Sequence, residues 1–200
     1  YPWGIEAMVY CMEHFPDAGF GLMAQDYHKN LSFPFCLSPK EAYADFYFRG
    51  KLIGMGPTGA IIKREAFEAV KGFSGTQYIG DTEMWYRLAA KWPLVCMPAQ
   101  LVWWREHGEQ QIKGEIKNNT IKSSRYQLMI DALQHPECPL SKADTEMAMG
   151  NVKNLFARNI LIGLMSGKIK GSLELMRLTK LSMPDILRSF KRNKYPAKTR

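Results

Sequence analysis

The sequence predicts an α/β domain over residues 1–110 and an all-helical region over residues 111–200. Two observations indicate this division. Short β-branched and aromatic runs alternate with helical periodicity in the first part, whereas the second part repeats apolar residues at helical spacing. Charge changes at the same place: residues 1–110 hold 10 Lys+Arg against 12 Asp+Glu, a balance of −2, and residues 111–200 hold 17 against 7, a balance of +10.

The composition is typical of a folded chain. Its 200 residues are 46% hydrophobic and 12% aromatic, enough to fill a substantial core. The four cysteines form no CxxC pair and are too sparse for a disulfide scaffold, so we expect free thiols in a reducing compartment. Neither a signal peptide nor an apolar run of about 20 residues is visible. We therefore expect a cytoplasmic protein.

Local patterns predict the elements of the first part. Ser38, followed by a proline and then by Glu41, is typical of a helix N-terminus with a capping box. The other predicted elements are a helix over 3–15 with Ile5, Met8, Val9 and Met12 on one face, strands over 19–25 and 60–62, helices over 63–70 and 80–92, and two short strands or one bent strand over 93–104.

The second part is predicted to contain four helices. Ser141 and Ser182 are the predicted caps of two of them. The predicted helices run from residue 112 to the turn at His135-Pro136, from Ser141 to Met165, over residues 173–181 after a break at 166–172, and from Ser182 into a basic amphipathic segment.

The stretch GDTEMWYRLAAKW, residues 80–92, places two acids, Asp81 and Glu83, at the start of a predicted helix. An aspartate there is an excellent N-cap, because its carboxylate accepts backbone N–H bonds and complements the helix dipole. A metal site and a catalytic base are the alternative interpretations.

Four elements around this stretch occur in a fixed order. They are a Gly-Pro-Thr-Gly loop into a strand, a short helix ending in KGF, the stretch GDTEMWYRLA, and a strand ending in WWREH. Together they resemble the acceptor-side half of family 2 glycosyltransferases, over residues 1–110. The resemblance implies a partial GT-A fold followed by the helical region, and an inverting glycosyltransferase of the hexosyltransferase type.

The resemblance implies that Asp81 is the general base. A sugar hydroxyl is a poor nucleophile, and a carboxylate within hydrogen-bond reach accepts its proton as the oxygen attacks the anomeric carbon. The implied partners are a nucleotide-sugar donor and a carbohydrate or lipid-linked acceptor. Glu83 would orient Asp81 or touch the acceptor, or would be a solvated first-turn acid. Trp85 would pack within the core or stack on a sugar face.

Two further groups of residues are candidates for substrate binding. Arg105 and His107 lie one residue apart, which on an extended strand end places both side chains on the same side. The resemblance implies that they lie near the diphosphate, with His107 a candidate metal ligand or phosphate donor; an ordinary surface histidine is the alternative. Gly56, Thr58 and Gly59 would bring backbone N–H groups to the donor, or would form a plain tight turn.

The sequence also departs from the family pattern. The family's N-terminal half carries an Asp-x-Asp motif that holds a divalent metal, Mg²⁺ or Mn²⁺, and no Asp-x-Asp occurs in this sequence. We therefore expect this chain to be part of a longer enzyme. Gly80 stands where the family often has an acid, which weakens any role that needs paired acids at 80 and 81.

The basic helical region has no catalytic motif. Basic residues interspersed with Leu, Ile, Met and Phe suit peripheral contact with the inner face of a membrane, where each could contribute about 1 kcal/mol of attraction. No nucleic-acid-binding motif is present, so we expect no nucleic acid partner. A solvated helical surface is one alternative. The other is a non-catalytic glycosyltransferase-like module that docks a membrane or protein partner through its basic helices.

Overall fold

The computed structural model describes residues 1–24, 31–50, 52–103 and 119–189. The chain divides into two compact units, each described separately below. The first comprises Tyr1–Gln110 and Pro136–Leu140, and the second comprises Gln111–His135 and Ser141–Arg200.

The first unit contains four α-helices and four β-strands in its described residues. The helices are α1 (Gly4–Glu13), α2 (Pro39–Ala44), α3 (Arg64–Ala69) and α4 (Gly80–Lys91). The strands are β1 (Phe20–Met23), β2 (Phe35–Leu37), β3 (Ala60–Ile62) and β4 (Leu94–Met97). A π-helical segment, Asp45–Arg49, continues α2, and a short 3₁₀ turn, Pro57–Gly59, precedes β3.

The four strands form one mixed sheet in the order β2-β4-β1-β3. The two central strands, β1 and β4, run parallel, with Phe20 opposite Leu94 and Met23 opposite Met97. Both outer strands are antiparallel to their neighbours. Every residue of β1 and β4 is buried, as expected for strands covered on both faces. The α/β class is thus confirmed, whereas the GT-A assignment stays a prediction.

Locally encoded elements agree with the sequence. The Ser38 hydroxyl accepts a hydrogen bond from the Glu41 backbone N–H, and the Glu41 carboxylate accepts one of 2.9 Å from the Ser38 N–H, so the capping box is confirmed. The helix over 3–15 and the strands over 19–25 and 60–62 are confirmed within their ends.

Two expectations for the first unit are wrong, and one strand was missed. In α1, Met8 and Met12 are buried but Ile5 is 75% exposed, because the helix packs through the face that also carries Gly4 and Cys11. The strand expected over 93–104 is present only as β4, which ends where Pro98 follows Met97, and residues 98–103 contain no strand. β2 was not predicted, because its three residues gain strand structure only by pairing with β4.

The described residues of the second unit form four helices. They are α5 (Asn119–Gln134), α6 (Lys142–Met165), α7 (Ile169–Thr179) and α8 (Met183–Arg188). Ser141 caps α6 by accepting the N–H of Asp144, and Ser182 forms a capping box with Asp185, as predicted. The break before α7 is shorter than predicted: it spans only residues 166–168, because residues 169–172, which were expected in the break, already belong to the next helix.

Within the part of the chain that the structure describes, none of the helices combines the length and apolar character needed to cross a membrane. All four cysteines are free, as expected; Cys11 and Cys96 are buried, and Cys36 and Cys138 are half-buried.

Candidate active site

Asp81 lies in the first turn of α4. The N-cap of this helix is Ile79, whose side chain makes no capping bond, so the interpretation of Asp81 as the N-cap is wrong. Instead, Oδ1 of Asp81 accepts hydrogen bonds from the backbone N–H of Thr82 (2.7 Å) and from the Thr82 hydroxyl (3.4 Å). The side chain is half-buried. Among the described residues, no hydrogen bond reaches Oδ2, so this oxygen keeps its capacity to accept a proton donor from outside.

Glu83 faces the opposite side of the helix from Asp81. Two residues correspond to about 200° of rotation at 3.6 residues per turn, so the two carboxylates do not face each other. Glu83 Oε2 accepts hydrogen bonds from the hydroxyls of Ser74 and Thr76, and Oε1 lies 3.6 Å from Nε of Arg87. Its carboxylate thus holds the loop before α4, and its role in orienting Asp81 or touching the acceptor stays a prediction.

Arg87 fixes the same loop at its other end. Its guanidinium donates hydrogen bonds to the carbonyl oxygens of Val70 and Gly72, the latter at 2.8 Å. Gly72 and its neighbour Lys71 both have left-handed backbone conformations, with φ of 65° and 61°. Through Arg87, α4 anchors the turn that closes α3. The sequence placed Arg87 in the helix, but no local signal showed which carbonyl groups it would bind.

Trp85 is a core residue. Its side chain is fully buried, lies parallel to Phe20 with ring centroids 6.1 Å apart, and donates its indole N–H to the carbonyl oxygen of Met55 at 2.7 Å. A buried indole exposes no face on which a sugar could stack, so the substrate-binding assignment of Trp85 is wrong. The hydrogen bond instead fixes the loop before β3 against α4.

The Gly56–Gly59 turn is tightly closed. The N–H of Gly59 donates to the carbonyl oxygen of Gly56 at 3.1 Å, and a Cβ at position 59 would overlap the sulfur of Met55. The backbone N–H of Gly59 is therefore occupied within the turn, which supports the tight-turn interpretation, and donor binding at this position stays a prediction. Thr58 is exposed and stays a candidate contact.

The C-terminal half of α4 is held by a cluster of tyrosines. The hydroxyl of Tyr43 donates to the carbonyl oxygen of Tyr86 at 3.1 Å, and the rings of Tyr47 and Tyr86 pack together with centroids 5.4 Å apart. Burial raises the pKa of Tyr43 and of Tyr47 far above the ordinary tyrosine value, so both stay neutral in the folded protein. Because α4 is packed firmly, the backbone that carries Asp81 is held in a fixed position.

Arg105 and His107 lie outside the described residues, so their predicted placement near a diphosphate stays a prediction. In residues 1–24, 31–50, 52–103 and 119–189, no group of three or more His, Cys, Asp or Glu side chains could hold a metal ion. The described residues therefore do not supply the ligand set for the expected Mg²⁺ or Mn²⁺, and no step of the chemistry below passes through a metal.

No protein-family model and no curated protein matches this sequence. Any function has to be inferred from the chemistry of the first unit itself. Four substrate-binding candidates lie in the loop before β3 and in α4: Thr58, Gly59, Glu83 and Trp85. Of these four, only Thr58 has an exposed side chain without a role in holding the fold. Asp81 adds a rigidly held, half-buried carboxylate.

Proposed function

We propose that the first unit is the acceptor-side part of an inverting glycosyltransferase in which Asp81 is the general base. The observation that supports this most is the contrast within the acid pair. Glu83 is bound on both oxygens by its own loop and helix, whereas Asp81 is held through Oδ1 alone among the described residues. A carboxylate oriented at one oxygen and open at the other suits proton transfer from a bound hydroxyl.

The proposed reaction is a single displacement. The acceptor hydroxyl gives its proton to the carboxylate of Asp81, and its oxygen forms a new bond to the anomeric carbon of the donor sugar. The bond from that carbon to the nucleoside diphosphate breaks, and the diphosphate leaves with the electron pair. Because attack and departure take place on opposite faces, the anomeric configuration inverts. General-base help of this kind is worth about 10²- to 10⁴-fold.

The fold around α4 supports precise positioning of the base. Trp85 binds the loop before β3, whereas Arg87 and Glu83 bind the loop before α4, so α4 is braced on two sides. A catalytic side chain on a supported helix keeps its geometry better than one on a loop. The nucleotide-sugar donor, a carbohydrate or lipid-linked acceptor, the divalent metal and the contacts of Arg105 and His107 with the diphosphate remain parts of the same proposal.

The test is the Asp81→Asn variant of the full-length protein. Nucleoside diphosphate release would be measured over a panel of nucleotide sugars with Mg²⁺ or Mn²⁺ and with acceptor sugars. We expect turnover to fall about 10²- to 10⁴-fold, because an amide cannot accept the proton. Circular dichroism and thermal melting should be unchanged, since Asn retains the oxygen that accepts the Thr82 N–H.

Glu65→Gln is the matched control, because Glu65 also lies in the first turn of a short helix of this unit and is exposed. It should retain full turnover. Undiminished turnover of the Asp81→Asn variant, with the wild-type fold, would exclude Asp81 as the base. Absence of turnover in the wild-type protein over the whole panel would count against glycosyl transfer itself.

A further inference from the structure

The turn between α6 and α7 presents four large apolar side chains to solvent. Met165 is 75% exposed, Ile169 57%, Ile162 54% and Leu173 53%. We call these four residues with Lys168 and Lys170 the α6–α7 tip. Side chains of this size are usually withdrawn from water, and a contiguous exposed group of them marks an interaction surface.

Helical spacing places the four apolar residues in two pairs, one on each side of the turn. Ile162 and Met165 are three residues apart on α6, and Ile169 and Leu173 are four residues apart on α7, so each pair occupies one helix face. An adjoining face of α7 is already used, since Ser172, Leu175 and Thr179 are buried. The exposed apolar face of α7 is therefore additional to the face that stabilises the fold.

Basic residues outnumber acidic ones around the tip. Residues 147–173 contain four basic residues and no acidic residue, and Glu174, whose carboxylate accepts a hydrogen bond from Asn119, follows directly. Lys168 is the N-cap of α7, and Lys170 lies in its first turn; both are exposed. Positive charge at a helix N-terminus is unfavourable to the helix dipole, so these lysines do not stabilise α7. Lys168 also follows the C-terminus of α6, where positive charge is favourable, whereas Lys170 is exposed and accessible to an external anion.

The tip is preformed by close packing of the two helices. A Cβ at Gly163 would overlap Oγ of Ser172, so the absence of a side chain at Gly163 allows α6 and α7 to approach at this point. Ser172 also donates its hydroxyl to the carbonyl oxygen of Lys168 at 2.9 Å, which fixes the first turn of α7. A rigid tip pays little conformational entropy on binding.

We propose that the α6–α7 tip docks on the surface of a phospholipid leaflet that contains anionic lipid. Ile162, Met165, Ile169 and Leu173 enter the acyl boundary, and Lys168 and Lys170 contact headgroup phosphates, which is the usual composition of an interfacial helix. A second copy of the chain fits less well, because a symmetric contact through the tip brings four lysines of like charge together. A nucleic acid would match the lysines but leave the apolar side chains in water.

The first experiment is co-sedimentation of the full chain with vesicles, without nucleotide sugar. We expect binding to vesicles of phosphatidylcholine mixed with phosphatidylglycerol and little binding to phosphatidylcholine alone. The Lys168→Gln/Lys170→Gln double variant should weaken the partition coefficient about 30-fold, which is about 1 kcal/mol for each charge. Equal binding to both kinds of vesicle, or to neither, would overturn the proposal.

The apolar contribution has a matched control within the same helix pair. Ile169→Ser should weaken partitioning about tenfold or more, because it removes a side chain that enters the leaflet. Met147→Ser changes an apolar residue of similar exposure, 46%, far from the tip on α6, and should leave partitioning unchanged. A loss as large for Met147→Ser as for Ile169→Ser would show that the tip is not the docking surface.

Depth of insertion gives a second readout. Tryptophan placed at position 165 should be quenched by brominated acyl chains, whereas tryptophan at position 147 should not; the five native tryptophans are subtracted with the wild-type chain. If the fluorescence of tryptophan at position 165 is not quenched, insertion of the tip is excluded.

Sedimentation equilibrium without lipid tests whether the tip binds a second copy of the chain. Concentration-dependent dimers that Ile169→Ser abolishes would assign the tip to self-association instead. These measurements are independent of sugar transfer.

Discussion

Glu83 Oε1 lies 3.6 Å from Nε of Arg87, one helical turn later on α4, and the two side chains hold opposite ends of one loop. Glu83 binds the hydroxyls of Ser74 and Thr76, while Arg87 binds the carbonyl oxygens that follow α3. Two residues that sequence pattern alone associates with a catalytic helix thus have a structural task. Their removal should act on stability, whereas loss of Asp81 should act on turnover.

Glu83→Ala should lower the free energy of unfolding by about 1–2 kcal/mol, because the two hydroxyls and Arg87 lose a charged acceptor that is only partly screened by water. Chemical denaturation measures the change. In a double-mutant cycle with Arg87→Ala we expect a coupling energy of at least about 0.5 kcal/mol.

The Arg64–Glu68 ion pair provides the control for this cycle. It has the same four-residue spacing on a helix, but both side chains are well exposed and the atoms are 3.9 Å apart. Glu68→Ala should change the stability by less than about 0.5 kcal/mol. Similar losses at Glu83 and Glu68 would contradict a bracing role for Glu83.

Trp85→Phe should destabilise the first unit by about 1–3 kcal/mol. The substitution leaves the carbonyl oxygen of Met55 without its 2.7 Å hydrogen bond inside the core. Trp103→Phe is the matched control, because Trp103 is 67% exposed, and it should be nearly neutral. Urea denaturation compares the two, and an equal effect of both variants would show that the Met55 contact contributes little.

Gly163→Ala tests the close approach of α6 and α7. Alanine gains up to about 1 kcal/mol of helix propensity over glycine, but its Cβ would overlap Oγ of Ser172 and cost about 1–3 kcal/mol of overpacking. We expect a net loss of stability in the thermal unfolding of the chain.

The companion substitution Ser172→Ala removes the overlapping oxygen. In that background Gly163→Ala should be neutral or stabilising, because the remaining Cβ lies 3.6 Å away, at an ordinary contact distance. If Gly163→Ala has the same effect in both backgrounds, the helices do not meet at this pair.

The capping box of α8 predicts that its contribution to the stability of the fold depends on pH. Hydrogen bonds from the hydroxyl and backbone N–H of Ser182 lower the pKa of Asp185 below its ordinary value. Because the folded-state pKa is the lower one, this contribution to stability is present above the ordinary aspartate pKa, about 3.9, and is lost as the pH falls through the lowered value. Ser182→Ala should therefore raise the pKa of Asp185.

Carboxyl NMR titration of the Ser182→Ala variant measures this change. Glu41 provides an internal reference, because its pKa is lowered by the separate capping box with Ser38 and should not move. A pKa of Asp185 that is the same in both proteins would mean that the capping bonds do not persist in solution.

The sequence by itself determined the features that depend on neighbouring residues. Ser38, Ser141 and Ser182 each begin a helix through contacts three residues away, so their side chains and the backbone they cap are never far apart. The α/β class and the helical second part were predictable for a related reason, since hydrophobic periodicity is also local.

Only the tertiary structure decided which candidate side chains are engaged in contacts within the fold and which stay accessible. Trp85 meets Met55, 30 residues earlier, and Arg87 meets Val70 and Gly72, so their burial depends on how distant segments pack. Contacts with Ser74, Thr76 and Arg87 likewise distinguish Glu83 from Asp81, which the sequence presents as one acid pair. Contacts between residues far apart in the chain leave no local periodic signal, and for that reason the motif indicated a candidate site but not the role of each member.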